Sequence, residues 1–326
     1  MPKTIYLDQN KWIDIARAFY GREDGKPFLL VLDELTKRSD KGEIIIPISA
    51  VHYIETSRPK DAERRERLAR FMVSLSKGYG ILPFFSIREI EVQQAIARRL
   101  GIKPYANIHD IVIGKGLAYA LGSEIVVESF SPDVVKELTA VIGEEATMIK
   151  MLVDSIDRGT VRSNGEENKE VLARLEDSRR RKKEELSKEM RFRLAIAEMT
   201  SGSLIPIAVT YLKKIGLDPK KFADEMISAD NWISFFLDIP TMDIWINLHL
   251  LRDNDFSRPI HWNDTNDIAF LAIAVPYCDV IVVERYWAHH LQANGFDDKY
   301  HCKILTDLLQ LPKLLKKELG TWANAA

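Results

Sequence analysis

The sequence predicts an α/β protein with a central parallel sheet, plus a large, mostly helical insertion. Short apolar runs near both ends of the chain have the length and Ile/Val content of strands that are buried on both faces. Each run is followed by a helical pattern, as in strand–helix–strand units with right-handed crossovers. The long middle of the chain carries helical periodicity almost throughout.

The first 86 residues alternate between strand and helix patterns. Gly21 ends the first helix, and Ser49 is suited to cap the helix after the second strand. The predicted strands are 3–8, 43–48 and 81–85, and the predicted helices run from Asn10 to Gly21 and over 27–37, 50–56 and 60–77.

Residues 87–250 form the predicted helical insertion, in which Ser131-Pro132-Asp133 is a good helix start. A basic run, Arg179 to Lys183, has two interpretations. It could contact phosphates, since Lys and Arg contacts dominate non-specific nucleic-acid affinity. It could equally be a solvated helix face balanced by the glutamates that follow it.

Residues 251–326 return to the α/β pattern and complete the domain begun by residues 1–86. The predicted elements are a helix over 265–274, a strand over 279–284, a helix over 286–291 and a short strand over 303–306. Trp12 and Trp287 are predicted to lie in the core.

Composition restricts the functional classes. With 46 Lys and Arg against 48 Asp and Glu, the net charge of -2 means that any nucleic-acid surface must be local. The two cysteines, Cys278 and Cys302, are too few for a disulfide framework, and the spacing of His289, His290 and His301 matches no compact zinc pattern. No signal peptide or membrane span is apparent, which favours a cytoplasmic protein with reduced thiols.

Five acids stand at strand ends or in the helices that follow them. Carboxyl ends of parallel strands meet at one crevice, so these side chains are expected to converge. Converging carboxylates repel one another, and a divalent cation such as Mg²⁺, which prefers oxygen ligands, removes the conflict. Two such ions can support phosphodiester hydrolysis. The candidate acids are Asp8, Glu55, Asp264, Asp267 and Glu284.

Each acid also has a structural interpretation. Asp8 could simply cap the next helix, and Asp264 with Asp267 could form a cap and its reciprocal partner. Glu55 could be an exposed helix residue, and Glu284 a solvated strand end.

The order of these acids resembles the PIN-domain family of metal-dependent nucleases, over about residues 1–86 and 250–310. In that family the first strand ends in Asp, followed two places on by a small polar residue, as in Asp8 and Asn10. A Glu in the helix after the second strand and an Asp opening an Ile/Ala-rich helix are matched by Glu55 and Asp267. The family's Thr-Asp pair after a later strand is replaced here by Val283-Glu284.

The resemblance implies a three-layer fold with a Mg²⁺ or Mn²⁺ crevice. The metal ligands would be Asp8, Glu55, Asp267 and Glu284, with Asp264 assisting. It further implies hydrolysis of RNA to a 5′-phosphate and a 3′-hydroxyl, often in toxin or defence proteins.

Five residues near the acids are predicted to bind substrate. Lys11, Arg58 and Arg285 are placed to hold a scissile phosphate, and Trp262 could stack on a base. Asn10 is the fifth residue predicted to bind substrate. Two alternatives remain open: a PIN-like scaffold that has lost catalysis and acts as an assembly subunit, and a structure-specific DNA nuclease. The sequence also leaves open whether the chain forms a homo-oligomer.

Overall fold

A computed structural model describes residues 2–103, 106–122, 137, 140–154, 158–201, 204–226 and 228–322 of the chain. The chain folds as two compact units. The first unit comprises Met1–Pro83, Val112–Asp157 and Tyr277–Ala326, and the second comprises Phe84–Ile111 and Arg158–Pro276. Mixed α/β structure with a parallel sheet and a helical region is therefore confirmed.

The described strands all belong to the first unit. They are β1 (Lys3–Leu7), β2 (Ile44–Ile45), β3 (Tyr79–Ile81), β4 (Ile113–Lys115), β5 (Val280–Val282) and β6 (Lys303–Leu305).

The α-helices described for both units are numbered along the chain. They are α1 (Gln9–Phe19), α2 (Leu29–Asp40), α3 (Ala50–Ser57), α4 (Ala62–Ser76), α5 (Phe84–Arg99), α6 (Leu117–Leu121), α7 (Glu144–Asp154), α8 (Arg158–Glu185), α9 (Lys188–Ser201), α10 (Leu204–Lys214), α11 (Pro219–Glu225), α12 (Ala229–Leu237), α13 (Pro240–Asn254), α14 (Asp264–Tyr277), α15 (Arg285–Ala293), α16 (Phe296–Lys299) and α17 (Leu311–Trp322). Short 3₁₀ helices cover Glu23–Phe28, Ile108–Asp110 and Leu308–Gln310.

The main sheet has the strand order β2-β1-β5-β6, and every pairing in it is parallel. The register places Leu7 opposite Val282, and Val282 opposite Leu305. Leu7 and Val282 are fully buried, as expected for strands covered on both faces. The sheet therefore brings the carboxyl ends of β1, β5 and β6 to one edge.

The third strand differs from its prediction. β3 ends at Ile81, pairs antiparallel with β4, and joins Ile48 through a single parallel bridge. Residues Phe84 and Phe85, predicted to be strand, instead begin α5. A close approach at Gly80 contributes to this arrangement, because a Cβ there would lie 2.9 Å from the Cβ of Ala120. β4 itself lies in the region that was predicted to be mostly helical.

The two units divide the chain differently from the predicted boundaries at 86 and 250. Residues 112–157 return to the first unit, where Met148 and Leu152 join a core cluster with Tyr53 and Met72. Residues 251–276 belong to the second unit. Helical periodicity alone could not distinguish these assignments, because every helix shows the same pattern wherever it packs. The predicted helix start at 131–133 lies outside the described residues.

The second unit is helical where the structure describes it. Arg179, from the basic run, is buried in it and donates to the carbonyl oxygens of Arg252, Asp255 and Arg258 at 3.3, 3.1 and 2.9 Å. The interpretation of this run as a solvated face is therefore wrong for its first member, which satisfies the carbonyl groups at and beyond the end of α13.

Within the described residues, no single helix is both long and apolar enough to cross a membrane. The pair Lys188–Met199 and Leu204–Lys214 meets those criteria only when taken together, and it is bent by 52°.

Candidate functional site

Asp8 lies at the end of β1 and begins the candidate site. Its side chain is 7% exposed, and its Oδ1 accepts a hydrogen bond from the Gln9 amide at 2.7 Å. It is therefore the N-cap of α1, as the structural interpretation predicts. The Asp8 amide in turn donates to the Val282 carbonyl at 3.1 Å, which ties this carboxylate to the neighbouring strand.

Glu284 occupies the corresponding place after β5, at the N-cap of α15. Its side chain is exposed, and Oε1 accepts a hydrogen bond from Nδ2 of Asn10 at 3.0 Å. Asn10, predicted to belong to the site, therefore links the helix after β1 to the acid after β5. Val283 before it is fully buried and brings no hydroxyl to the site.

Glu55 is carried by α3, and a buried polar network holds that helix against β1. The Ser49 amide donates to Nδ1 of His52 at 3.0 Å, so Nδ1 is an acceptor and Nε2 carries the proton. Nε2 therefore donates to the Leu7 carbonyl at 2.9 Å. The Tyr6 hydroxyl lies 2.9 Å from Oγ of Ser49.

A second bond joins α1 to α3 beside the acids. Nε2 of Gln9 donates to Oγ1 of Thr56 at 3.0 Å, and Thr56 is fully buried. Gln9, His52 and Thr56 were not predicted from the sequence to belong to the site. The Ser49-x-x-His52 spacing at a helix start was the available signal, because a polar residue at that position can bond back to the cap.

Burial and neighbouring carboxylates raise the pKa values of Asp8 and Glu55. Burial, and next the charge of Glu284, raise the pKa of Asp8 to about 6, while the Gln9 amide and Lys11 oppose the shift. Burial likewise raises the pKa of Glu55 to about 7, and Asp8 and Glu284 add to that effect. Arg58 opposes it through its positive charge. Burial is therefore the main cause of both shifts, and nearby carboxylates add to it.

The part of the chain that the structure describes contains no preformed metal-binding site. Among those residues, no group of three or more His, Cys, Asp or Glu side chains is arranged to hold an ion. The donor chemistry of Asp8, Glu55 and Glu284 nevertheless suits a cation that prefers oxygen. An ion would require these carboxylates to approach one another more closely.

The three cationic residues that were predicted to bind phosphate differ in their surroundings. Lys11 donates from Nζ to the Thr306 carbonyl at 3.0 Å, just beyond β6. Arg58 lies at the end of α3 and Arg285 at the start of α15, and both are exposed. All three belong to the first unit, together with Asp8 and Glu284.

Asp264, Asp267 and Trp262 belong to the second unit. Asp264 is 2% exposed, and both of its oxygens are engaged: Arg258 donates to Oδ1 at 2.7 Å and the His261 amide to Oδ2 at 2.9 Å. These are the contacts of a structural residue at a helix start. Asp267 is partly buried and Trp262 is 46% exposed. The roles predicted for all three stay predictions.

Two tryptophans were predicted to lie in the core rather than in the site. Trp12 and Trp287 are 0% and 2% exposed, which confirms that both lie in the core.

No protein-family model, curated protein or solved structure matches this chain.

Proposed function

We propose that the first unit is a PIN-like nuclease domain that hydrolyses phosphodiester bonds in RNA with the help of Mg²⁺ or Mn²⁺. One observation carries the proposal: Asp8, Glu55 and Glu284 come from three separated parts of the chain, and at one edge of a parallel sheet Glu284 raises the pKa of Asp8 while Asp8 and Glu284 raise the pKa of Glu55. That edge is where open α/β sheets bind ligands. Strongly shifted acids in such a place are typical of functional sites.

Asp8, Glu55 and Glu284 of the first unit would hold the ion. The metal role of Asp267 stays a prediction from the sequence alone. The bound ion would supply activation of a water molecule and stabilisation of the leaving oxygen. The cost of gathering three carboxylates fits this role, because the ion offsets a repulsion that the protein alone leaves in place.

The chain's own residues have separate tasks in this proposal. The Gln9 amide orients Asp8, and the bond from His52 to Leu7 sets the position of α3 and with it Glu55. Arg58 and Arg285 are both exposed, and in this proposal they contact a phosphate oxygen of the substrate, since an Arg side chain can bind phosphate through two parallel hydrogen bonds.

The substrate is proposed to be RNA, with 5′-phosphate and 3′-hydroxyl products, and a toxin or defence role fits such an activity. DNA remains the less favoured substrate. A catalytically inactive scaffold is the second candidate, and one observation favours it: the described residues hold no three-ligand metal group.

Cleavage of labelled total RNA and single-stranded DNA in Mn²⁺ tests the proposal. We expect RNA fragments with 5′-phosphates from the wild type, and loss of cleavage with EDTA or with Asp8→Asn. Asp14→Asn is the matched control, since Asp14 lies on the same helix but is ion-paired to Arg17 at 2.9 Å. Equal cleavage by Asp8→Asn and wild type would refute the metal–carboxylate mechanism. Absence of both cleavage and Mn²⁺ binding would favour the scaffold.

A further inference from the structure

The second unit contains a cavity of about 250 Å³, lined by residues from α8, α9, α13 and the segment before α14. Its size is close to the lower end of the range for small-ligand sites, about 300–1,000 Å³. Four cationic side chains line it: Arg179, Lys182, Arg191 and Arg252.

The cavity keeps an excess of positive charge. Three of the four cations have a carboxylate partner at 2.7 Å: Arg179 with Glu176, Lys182 with Glu198, and Arg252 with Asp253. Arg191 differs, because its described hydrogen bonds go to neutral acceptors, Oδ1 of Asn254 at 3.1 Å and the Leu186 carbonyl at 2.9 Å. An anion in the cavity would meet this uncompensated guanidinium.

His249 adds an unused polar atom to the same cavity. Its side chain lines the cavity and is 8% exposed, and its buried Nε2 has no hydrogen-bond partner among the residues that the structure describes. Burial, together with the charge of Arg252, lowers the pKa of His249 to about 3, so the ring is neutral at physiological pH. A buried polar atom without a partner is unusual, and a bound molecule that reaches it explains its presence.

We propose that this cavity binds a small phosphate monoester with an apolar body. Arg191 lies on α9, whereas Arg252 and His249 lie on α13, so the donors reach the cavity from two separate helices. That arrangement suits the tetrahedral oxygens of a phosphate better than the single plane of a carboxylate. Leu175, Ala195 and Leu250 supply apolar surface for the rest of the molecule. The inference does not depend on the nuclease activity proposed for the first unit.

Isothermal titration calorimetry of the full chain with phenyl phosphate tests the inference. Benzoate and inorganic phosphate are the comparison probes, because one lacks the phosphate and the other lacks the apolar body. We expect one phenyl phosphate per chain, and both comparison probes at least about tenfold weaker.

Three variants locate the site. Arg191→Ala and His249→Phe should each weaken phenyl phosphate binding by about tenfold or more. Arg193→Ala is the matched control and should bind as the wild type does, because Arg193 lies on the same helix but pairs outside the cavity with Glu189 and Asp230. Circular dichroism checks that each variant folds, and Arg191→Gln replaces Arg191→Ala if that variant does not.

Several results would overturn the inference. Absence of binding heat from phenyl phosphate at millimolar concentration would reject the ligand site. Benzoate binding as tightly would reject the phosphate, and inorganic phosphate binding as tightly would reject the apolar body. Unchanged affinity in both Arg191→Ala and His249→Phe would place the binding elsewhere.

Discussion

Nε2 of His52 donates a hydrogen bond to the carbonyl oxygen of Leu7 at 2.9 Å, with His52 in α3 and Leu7 at the end of β1. The bond joins the helix that carries Glu55 to the strand that ends in Asp8. Since His52 is 1% exposed, water cannot replace this contact if it is lost. The relative position of two of the three site acids therefore depends on a residue that touches neither of them through a described hydrogen bond.

Replacing His52 should destabilise the first unit. His52→Ala leaves the Leu7 carbonyl and the Ser49 amide buried without their partner, and it opens a cavity beside Tyr6 and Trp12, whose rings contact the imidazole. We expect a loss of about 2–4 kcal/mol in the free energy of unfolding, measured by urea denaturation. His289→Ala, at an exposed position, should change stability by less than about 0.5 kcal/mol. A His52→Ala variant as stable as His289→Ala would contradict this account.

The buried His249 should make the protein sensitive to acid. Its pKa is lowered to about 3 in the folded chain, whereas an unfolded histidine titrates near 6.5. Between these two pH values the unfolded chain binds a proton at His249, whereas the folded chain does not. The free energy of unfolding is therefore unaffected by His249 above about pH 6.5 and decreases as the pH falls towards 3. Between pH 7.5 and 5 the loss is about 2 kcal/mol.

Urea unfolding of wild type and His249→Phe at several pH values measures this contribution. The variant has no imidazole to protonate, so its stability should fall less steeply between pH 7.5 and 5. Parallel pH profiles for the two proteins would show that His249 does not contribute to the acid sensitivity.

Removing the charge of Asp8 should stabilise the metal-free protein at alkaline pH. Its pKa is raised to about 6, so the folded state binds the proton more tightly than the unfolded state. Ionisation of Asp8 therefore destabilises the folded state. This destabilisation is absent below pH 4, grows as the pH rises to 6, and reaches at most about 3 kcal/mol at higher pH. Asn is an equally good N-cap, so Asp8→Asn keeps the cap while removing the charge.

Thermal melts in EDTA at pH 8 and pH 5 check this prediction. Asp8→Asn should melt at a higher temperature than wild type at pH 8 and show a smaller difference at pH 5, while Asp14→Asn should follow the wild type at both. Mn²⁺ should raise the melting temperature of the wild type and not that of Asp8→Asn. A destabilised Asp8→Asn at pH 8 would mean that the carboxylate is well compensated.

Arg179 should be structural, unlike the arginine beside it. Arg179→Met removes the donor from three carbonyl oxygens and leaves Glu176 without its ion-pair partner. We expect the free energy of unfolding of the second unit to fall by about 3–5 kcal/mol. Thermal unfolding monitored by circular dichroism measures this change. Arg180→Met, at the exposed neighbouring position, should unfold almost as the wild type does. Equal melting of the two variants would show that the buried contacts of Arg179 contribute little.

Prediction from the sequence succeeded where a local pattern had one meaning. The run 280–283 has only apolar, β-branched residues and contains β5 (Val280–Val282), and Gly21 lies just after the end of α1 as predicted. It failed at Phe84 and Phe85, where an apolar pair after a proline suits either a strand or a helix start. Phe84 stacks on Trp245, with 4.4 Å between the ring centroids. This contact with a residue far away in sequence favours the helix.

Local pattern alone determined much about this protein: the apolar strands with an acid after β1 and after β5, the caps, and the helical middle of the chain. Only the tertiary structure decided that Asp8 and Glu55 have raised pKa values, that Asp264 is engaged by Arg258, and that Arg179 is buried. The physical reason is that periodicity and capping act over a few residues. Strand order, desolvation and charge pairing depend on which distant segments meet.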